Sequence, residues 1–348
     1  MPLATRTVGC LRYFRPARVF VREDAAEYPL AKELIARFRA DGIDVKTVRR
    51  VQGIPGDTPR QSFFEAKRTL VLSVRKKAPL QGCRPSANWQ LPFVSGCPGH
   101  CHYCYLNTSF GPKPYVRVYV NVDEILGHAE EYIERRRPMV TIFEGSATSD
   151  PIPLEHWTGS LRRAVLHFAK HPYGRFRIAT KYDGVDSLLG LEHNDHTRIR
   201  FTINSERVIS GWDKATASLA RRLAAAEKVA QAGYPFGFLV GPIVLYDGWE
   251  DEYVRLIEQI AERFDKAERE RMSFELITHR FTPTAKELIE RVYVDTDLPM
   301  DTSDRAWSYG QFGYGKWKYA PHAYGRVQQI VKGAIGRMIP EAKVMYLV

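Results

Sequence analysis

Short apolar runs alternate with longer amphipathic segments over most of the chain. In its later part, the apolar runs have the length and β-branched or aromatic content of strands: Met139–Phe143, Phe176–Thr180, Ile199–Asn204, Phe236–Val240 and Phe274–Ile277. The segments around them have helical periodicity: Val122–Arg136, His156–Ala169, Ala215–Gln231, Trp249–Phe264 and Thr284–Arg291. Short apolar strands joined by helices form parallel βαβ units. The pattern therefore predicts an α/β fold with five to six units in a TIM-like partial barrel, whose chemistry lies at the C-terminal ends of the strands.

The first 85 or so residues predict a smaller α/β unit. Strands are expected at Arg18–Val21, Asp44–Val48 and Arg68–Val74, with a helix from Tyr28 to about Ala40 and a Gly/Pro turn at Gly53–Pro59. The expected domains are thus an N-terminal unit at 1–85 and a barrel at 86–348.

Composition narrows the class of protein. The 348 residues are 44% hydrophobic and 26% charged, and no apolar run approaches the roughly 20 residues of a membrane span. Met1–Arg18 lacks the apolar core of a signal peptide. We therefore expect a cytoplasmic protein with no membrane partner. The net charge of +11 indicates a polyanionic partner such as nucleic acid, although solvated helix faces would account for it equally well.

Three of the five cysteines lie in one short loop. Cys97, Cys101 and Cys104 have the spacing C-x3-C-x2-C, with the helix-breaking pair Pro98-Gly99 between the first two. Three thiolates in such a loop can bind three irons of a [4Fe–4S] cluster and leave the fourth iron open to a small molecule. A zinc site usually needs paired C-x2-C knuckles, and unliganded thiols are the remaining alternative.

This spacing is that of the radical S-adenosylmethionine (SAM) superfamily, and the surrounding run Ser95–Thr108 strongly resembles the spore photoproduct lyase family. The resemblance extends from about residue 18 to the C-terminus. Further matching motifs follow in order: Val118–Asn121, Phe143–Gly145, Thr148–Asp150, Thr180–Tyr182 and Phe312–Lys316.

The resemblance implies a function. Members repair spore photoproduct in DNA: a 5′-deoxyadenosyl radical takes hydrogen from C6 of the lesion, the methylene bridge breaks, and returned hydrogen gives two thymines. The resemblance also implies a [4Fe–4S] cluster and SAM as cofactors. The implied partners are duplex DNA and an electron donor such as flavodoxin or ferredoxin. The expected location is the cytoplasm of the spore core.

Polar residues at the predicted strand ends are candidates for binding SAM. A carboxylate or carbonyl around Glu144, Ser149 and Asp150 is expected to accept from the methionyl ammonium, and Lys181 to pair with the SAM carboxylate. Thr202 and Asn204 are candidates for the ribose hydroxyls, and Gly241 for close approach to adenine. The family resemblance supports Ser149, Lys181 and Asn204. Helix capping would explain Ser149 and Asp150 as well, and a plain turn would explain Gly241.

The hydrogen donor is the main departure from the family pattern. Well-known members carry a donor cysteine where this chain has Ala147, and alanine has no weak X–H bond to give. Either an engineered substitution removed the thiol or another residue replaced it; Cys83, upstream of the cluster loop, is the favoured substitute, with a buried filler as the alternative. Tyr103 and Tyr105 are candidates either for returning hydrogen to SAM or for shielding the cluster. Cys10 has no predicted role.

The C-terminal part interleaves aromatic rings, glycines and lysines. A hairpin is predicted there, at about 305–326, that stacks on bases and meets phosphates, while an aromatic strand pair packed on the barrel is the structural alternative. Its candidate DNA-binding residues are Gln311, Phe312, Tyr314, Lys316, Lys318, Tyr324 and Arg326.

Two other functions remain compatible with the sequence. One is a radical SAM enzyme that modifies tRNA or a protein. The other is a non-catalytic nucleic-acid-binding module with a structural metal.

Overall fold

The structure, a computed structural model, describes residues 13–310, 313 and 315–348. The strands are β1 (Arg18–Arg22), β2 (Asp44–Val48), β3 (Thr69–Ser73), β4 (Gly82–Cys83), β5 (Ala87–Leu91), β6 (Val94–Ser95), β7 (His100–Cys101), β8 (Val116–Tyr119), β9 (Thr141–Gly145), β10 (Gly174–Thr180), β11 (Thr197–Ile203), β12 (Asp213–Lys214), β13 (Phe236–Ile243), β14 (Met272–Thr278), β15 (Arg305–Tyr309), β16 (Gly315–Tyr319) and β17 (Lys343–Leu347). The helices are α1 (Pro29–Ala40), α2 (Pro59–Lys67), α3 (Leu106–Ser109), α4 (Val122–Glu134), α5 (Ile152–Thr158), α6 (Ser160–Ala169), α7 (Glu206–Trp212), α8 (Leu219–Gln231), α9 (Trp249–Arg263), α10 (Lys266–Arg271), α11 (Pro283–Val292), α12 (Pro321–Val327) and α13 (Gly333–Met338).

The larger sheet has the strand order β17-β14-β13-β11-β10-β9-β5-β4 and curls into a partial barrel. All neighbours from β5 to β17 pair in parallel, and only the short edge strand β4 is antiparallel. The α/β partial barrel is therefore confirmed. Its strands β5 and β17 were not predicted, because Asn88 and Gln90 interrupt the apolar pattern of β5 and β17 is a short segment at the end of the sequence.

One predicted helix is divided in the structure, and another begins later than predicted. Gly159 adopts a left-handed φ of 58° between α5 and α6, so the segment predicted as one helix forms two. The segment Ala215–Gln231 becomes helical only at Leu219, because the Ser218 hydroxyl caps α8 by accepting from the Arg221 N–H. Ahead of it lie α7 and β12, neither of which was predicted.

The smaller sheet has the strand order β2-β1-β3-β8-β6. Its first three strands precede residue 85, but β6 and β8 come from beyond the boundary expected there. The chain thus enters the barrel at β4 and β5, returns to the N-terminal sheet at β6, and passes through the cysteine loop before β8. The cysteine loop is consequently anchored at both ends to the N-terminal sheet.

Strands β15 and β16 form the predicted aromatic hairpin. Trp307 lies opposite Trp317, with ring centroids 5.1 Å apart. Gly315 is required because a Cβ there would lie 1.8 Å from the Trp307 ring. A bridge between Phe281 and Trp317 fixes the hairpin to the end of the barrel. The predicted hairpin reached 326, but Pro321 begins α12.

None of the helices in the described part of the chain combines the length and apolar character needed to cross a membrane.

Candidate active site

A cavity of about 420 Å³ opens at the C-terminal ends of the barrel strands, and we call it the barrel cavity. It collects most of the residues that the sequence analysis singled out from distant segments. Those that line it are Cys83, Cys97, Cys101, Tyr103, Cys104, Tyr105, Glu144, Ser149, Asp150, Lys181 and Thr202. Neither Asn204 nor Gly241 lies in its lining.

The cysteine loop begins with a tight turn at Gly96. This residue has a φ of 72°, and a Cβ there would lie 2.4 Å from the Tyr115 carbonyl oxygen. Only glycine satisfies both the left-handed conformation and this close approach. The turn directs Cys97 away from the end of β6 and toward the barrel cavity.

Backbone hydrogen bonds hold the rest of the loop. Strands β7 and β12 pair with Cys101 opposite Asp213, and the buried Lys67 ammonium donates to the carbonyls of Cys97 and Gly99, at 3.1 and 2.7 Å. The Asn107 amide donates to the Cys101 carbonyl at 3.1 Å. These contacts fix the loop through its main chain.

The three sulfur atoms fit a cluster that faces the cavity. All three cysteines line one space, and the Gly99 N–H donates to Cys97 Sγ at 3.3 Å, a contact that stabilises a bound thiolate. Burial raises the pKa of Cys97 to about 12, so iron binding must displace its proton.

The two histidines of the loop point elsewhere, although they interleave with the cysteines. The His102 ring stacks on Tyr293 with centroids 4.1 Å apart, and the His100 ring packs 5.0 Å from Phe64. Neither lines the barrel cavity, so a mixed cysteine–histidine zinc site is not assembled there.

Lys181 lies directly after β10 with its ammonium in the cavity wall. It donates to the Tyr103 hydroxyl at 2.5 Å, and to each of the two carboxylate oxygens of Asp213 at 2.9 Å. Arg222 also pairs with Asp213 at 2.9 Å. Burial lowers the pKa of Lys181 to about 8. A cation is therefore positioned beside the cysteine loop.

Ser149 and Asp150 are engaged with the protein itself. The Ser149 hydroxyl donates to the Gly96 carbonyl. Asp150 accepts from the Lys181 N–H at 2.7 Å, from the Thr180 hydroxyl at 2.9 Å and from the Ile152 N–H at 3.3 Å. These contacts fix the turn after β9 against the end of β10, whereas Pro151, the N-cap residue of α5, makes no side-chain capping hydrogen bond.

A buried charge network that the sequence analysis missed lies inside the barrel. Arg200 donates to both oxygens of Glu144 and, at 2.6 Å, to Glu275, which also accepts from Arg177. Burial opposes the charge of Arg200, but the two carboxylates outweigh it and raise the pKa of Arg200. Glu144 is thus occupied by arginine as well as by the Ser86 hydroxyl at 2.7 Å. The signal was available in the sequence, because Arg200 and Glu275 interrupt otherwise apolar strands.

The ribose role predicted for Asn204 does not fit its position. Its side chain is fully buried, donates to the Pro242 carbonyl at 2.7 Å and accepts from the Tyr253 hydroxyl. Those contacts engage the side-chain amide of Asn204 inside the protein. Thr202, two residues earlier in the chain, does line the cavity.

Cys83 lies in the edge strand β4, where its side chain lines the barrel cavity. Burial raises the pKa of Cys83 to about 12, and the negative charge of Glu144 adds to the effect. Across the cavity, the Tyr105 hydroxyl donates to the Ala147 carbonyl at 2.8 Å. Cys10 falls outside the described residues.

The candidate DNA-binding residues are dispersed. Lys318 is exposed on β16 and Lys316 is half-buried beside it, but Tyr324 donates to the Leu347 carbonyl at 2.9 Å and Arg326 pairs with Glu250. Those engagements leave Tyr324 and Arg326 poorly suited to contact phosphates. Gln311, Phe312 and Tyr314 lie outside the described residues.

Arg280 is a further cation that the sequence analysis missed. It lines the barrel cavity directly after β14, and no hydrogen bond or ion pair joins it to another described residue. Burial lowers the pKa of Lys316, and Arg280 lies near enough that its charge lowers that pKa further. An arginine without a partner among the described residues, between the cavity and the hairpin, is suited to an anionic group.

Comparisons with known proteins identify one family. A protein-family model described as spore photoproduct lyase matches residues 14–348. Spore photoproduct lyase of Clostridium acetobutylicum is 43% identical over 333 residues, covering 95% of this chain and 98% of the relative. That of Bacillus subtilis (strain 168) is 42% identical over 336 residues, covering 96% and 98%.

Two solved structures with similar folds belong to the same family. A spore photoproduct lyase double mutant with bound AdoMet (SAM) and dinucleoside spore photoproduct has a TM-score of 0.94 and 42% identity, covering 96% of this chain and 99% of that one. A spore photoproduct lyase complexed with the dinucleoside photoproduct gives the same values.

We predict that Cys97, Cys101 and Cys104 are the protein ligands of the cluster. Replacing any one by alanine should remove the cluster and abolish SAM cleavage, because the loop backbone supplies no substitute for a lost thiolate. Iron content and the charge-transfer absorption after anaerobic reconstitution measure this. Cys83→Ala is the matched control and should retain full iron; a loop variant that kept a full cluster and cleaved SAM would disprove the assignment.

Proposed function

This chain belongs to the family of spore photoproduct lyases, which revert spore photoproduct to thymines by radical SAM chemistry, and we propose that it does so in duplex DNA with Cys83 as the hydrogen donor. The observation that carries this proposal is the barrel cavity, which brings Cys83 into one space with the three loop cysteines and Lys181. Solved relatives that hold the dinucleoside photoproduct support the choice of substrate.

The cofactors are a [4Fe–4S] cluster, bound by Cys97, Cys101 and Cys104, and SAM. When bound, they supply the one-electron chemistry that removes a hydrogen atom from the lesion. Lys181 contributes a positive charge beside the loop, and we assign it to the SAM carboxylate in exchange for its contact with the Tyr103 hydroxyl. Thr202 contributes a hydroxyl from the end of β11.

Cys83 has the protonation state that a hydrogen-atom donor needs. A thiol must carry its hydrogen to give it away, and the pKa of about 12 keeps Cys83 as S–H at neutral pH. Transfer breaks the S–H bond, forms a C–H bond on the thymine radical and leaves a thiyl radical on Cys83. Ala147 offers no such bond.

A solved relative supports a displaced donor. It carries a cysteine-to-alanine and a serine-to-cysteine substitution, and the two changed positions are separated by as many residues as Cys83 and Ala147. The pair Cys83 and Ala147 in this chain therefore matches an arrangement with which that relative was solved bound to AdoMet and the photoproduct.

The thiyl radical must recover a hydrogen atom, and we assign this step to Tyr103 and Tyr105. Both line the cavity with Cys83, and each has a single O–H bond to give. The Tyr105 hydroxyl reaches the carbonyl of Ala147, so it lies beside the position that a donor occupies in well-known members. The tyrosyl radical that this transfer would leave would in turn take a hydrogen atom from 5′-deoxyadenosine, which holds the atom removed from the lesion, so the sequence would consume no external hydrogen donor.

The hairpin and Arg280 suit a nucleic-acid substrate. Trp307 and Tyr309 are 43% and 73% exposed, respectively, and Lys318 is exposed on the neighbouring strand. Rings stack on bases turned out of a duplex while cations meet phosphates. We assign Arg280 to a lesion phosphate at the cavity entrance. The electron is proposed to come from flavodoxin or ferredoxin. The proposed location of the protein is the spore core.

The decisive test is repair by the purified, reduced protein. It should convert synthetic lesion to thymines with SAM, whereas a tRNA- or protein-modifying enzyme or a non-catalytic binder would not. Cys83→Ala should still cleave SAM and consume lesion, but the yield of clean thymine should fall several-fold as trapped adducts accumulate. In deuterated buffer, the exchangeable thiol should place deuterium in the product methyl group, and the substitution should remove that label.

Restoring a thiol at position 147, in the turn after β9, sharpens this experiment. Cys83→Ala combined with Ala147→Cys should recover clean repair and labelling, because Ala147 lies at the cavity wall beside Tyr105. Equal yield and equal labelling in Cys83→Ala would show that Cys83 is only a buried filler.

Lys181→Ala should weaken SAM binding by about 1.5–3 kcal/mol, the usual contribution of a hydrogen bond to a charged group, while the cluster spectrum stays intact. Equilibrium titration with SAM measures this. Lys214→Ala, at the exposed neighbour of Asp213 in β12, is the control and should retain SAM affinity. Unchanged affinity in Lys181→Ala would restrict Lys181 to pairing with Asp213.

The hairpin residues should contribute to DNA affinity in two separable ways. Tyr309→Ala should weaken binding of a lesion-containing oligonucleotide by about 1–3 kcal/mol through lost stacking, at any salt concentration. Lys318→Ala should instead lower the slope of log affinity against log salt by about 1, because one phosphate contact is lost. Fluorescence anisotropy measures both, with Lys46→Ala in the N-terminal sheet as control; a hairpin that behaved like the control would be a packing element.

A further inference from the structure

Three potential metal ligands meet on the outer layer of the barrel. Glu130 lies in α4, His167 in the last turn of α6, and His171 just beyond the end of α6. One atom from each, a carboxylate oxygen and two imidazole nitrogens, lies within 4.8 Å of the other two. We infer that these residues bind a zinc ion or another borderline divalent transition-metal ion.

The distances match a tetrahedral ion better than they match hydrogen bonds. Zinc binds nitrogen and oxygen ligands at about 2.0–2.2 Å, which separates neighbouring ligands of a tetrahedron by roughly 3.3–3.5 Å. Glu130 Oε1 lies 3.6 Å from His167 Nε2 and 3.4 Å from His171 Nε2. The first distance is too long for a hydrogen bond and the second is at its limit. Small side-chain rotations would bring all three atoms onto one ion.

His167 supplies an independent indication. Its Nε2 atom is buried and has no hydrogen-bond partner in the described part of the chain. Buried polar atoms without partners are rare in native structures and usually indicate a bound water or ion. The atom faces Glu130, so the group that satisfies it belongs between them.

The charges around the cluster favour a cation. The Glu130 carboxylate balances part of a dication's charge, and the carbonyls at the C-terminal end of α6 add negative potential. Two imidazoles select zinc-like ions over magnesium or calcium, which prefer oxygen ligands.

The site would connect two consecutive elements of the barrel. Helix α4 leads into β9 and α6 into β10, and the two helices pack against each other. Strand β9 carries Glu144, and β10 ends directly before Lys181. With three protein ligands and a water, the ion would fix the helices behind two strands of the barrel cavity, in a structural role separate from the cluster.

Zinc titration of the reconstituted holoenzyme tests the inference, since its loop thiols are already occupied. Competition with a chromophoric chelator should show one zinc bound in addition to the cluster, and magnesium should not compete. His167→Gln and His171→Gln should each weaken binding by at least about tenfold, because loss even of an outer-shell partner costs on the order of 10–100-fold. His128→Gln, in the same helix as Glu130, is the matched control and should bind as the parent does.

Zinc should also raise the thermal unfolding midpoint of the parent and of His128→Gln but not of the two site variants. Glu130→Gln changes a half-exposed side chain, so it tests the site even if a histidine variant folds poorly. Cobalt bound in place of zinc should lack thiolate charge-transfer bands. Absence of extra zinc, thiolate bands in the cobalt spectrum, or unchanged affinity in His167→Gln, His171→Gln and Glu130→Gln would each overturn the inference.

Discussion

The buried carboxylate of Asp213 links the cysteine loop to the barrel. Its side chain is fully buried between the ammonium of Lys181 and the guanidinium of Arg222, and its backbone pairs with Cys101. Removing one partner of such a group leaves uncompensated charge in the interior, which typically costs several kcal/mol. The position of the loop relative to Lys181 therefore depends on one residue that neither binds iron nor faces substrate.

The interior of the barrel is charged, and two of its charged side chains, Glu144 and Arg200, line the cavity. A barrel of this kind is normally filled by layers of branched apolar side chains. Here Arg177, Arg200, Glu144 and Glu275 occupy that interior and neutralise each other. Their fixed geometry supports the cavity floor beneath Cys83 and the loop thiols, and a polar floor suits both the zwitterionic end of SAM and a nucleobase.

Local signals in the sequence were sufficient for the cluster loop, the parallel strands and the hairpin. Cys97, Cys101 and Cys104 lie within eight residues, so their meeting needed no knowledge of the fold. In contrast, β7 and β12 are two residues long and carry no periodic pattern, so the contact of Asp213 with the loop could not be predicted.

The placement of single polar side chains was also beyond the sequence. Asn204 and Thr202 are two residues apart on one strand end, and only the packing of Tyr253 and Pro242 decides that Asn204 points into the core. Arg280 had no motif, and its significance comes from the lack of any partner among the described residues. The pairing of Glu130 with two histidines likewise depends on how α4 packs on α6.

The hydrogen bonds of the cysteine loop bear on the order of events during maturation. Lys67, Asn107 and the backbone of β12 hold the loop through its carbonyl and amide groups, none of which iron needs. We therefore expect the chain to fold with its three thiols already gathered, so that the cluster is inserted into a preformed loop. Assembly of the cofactor would then be a late, local event, and a protein that lost its iron would keep the architecture required to accept it again.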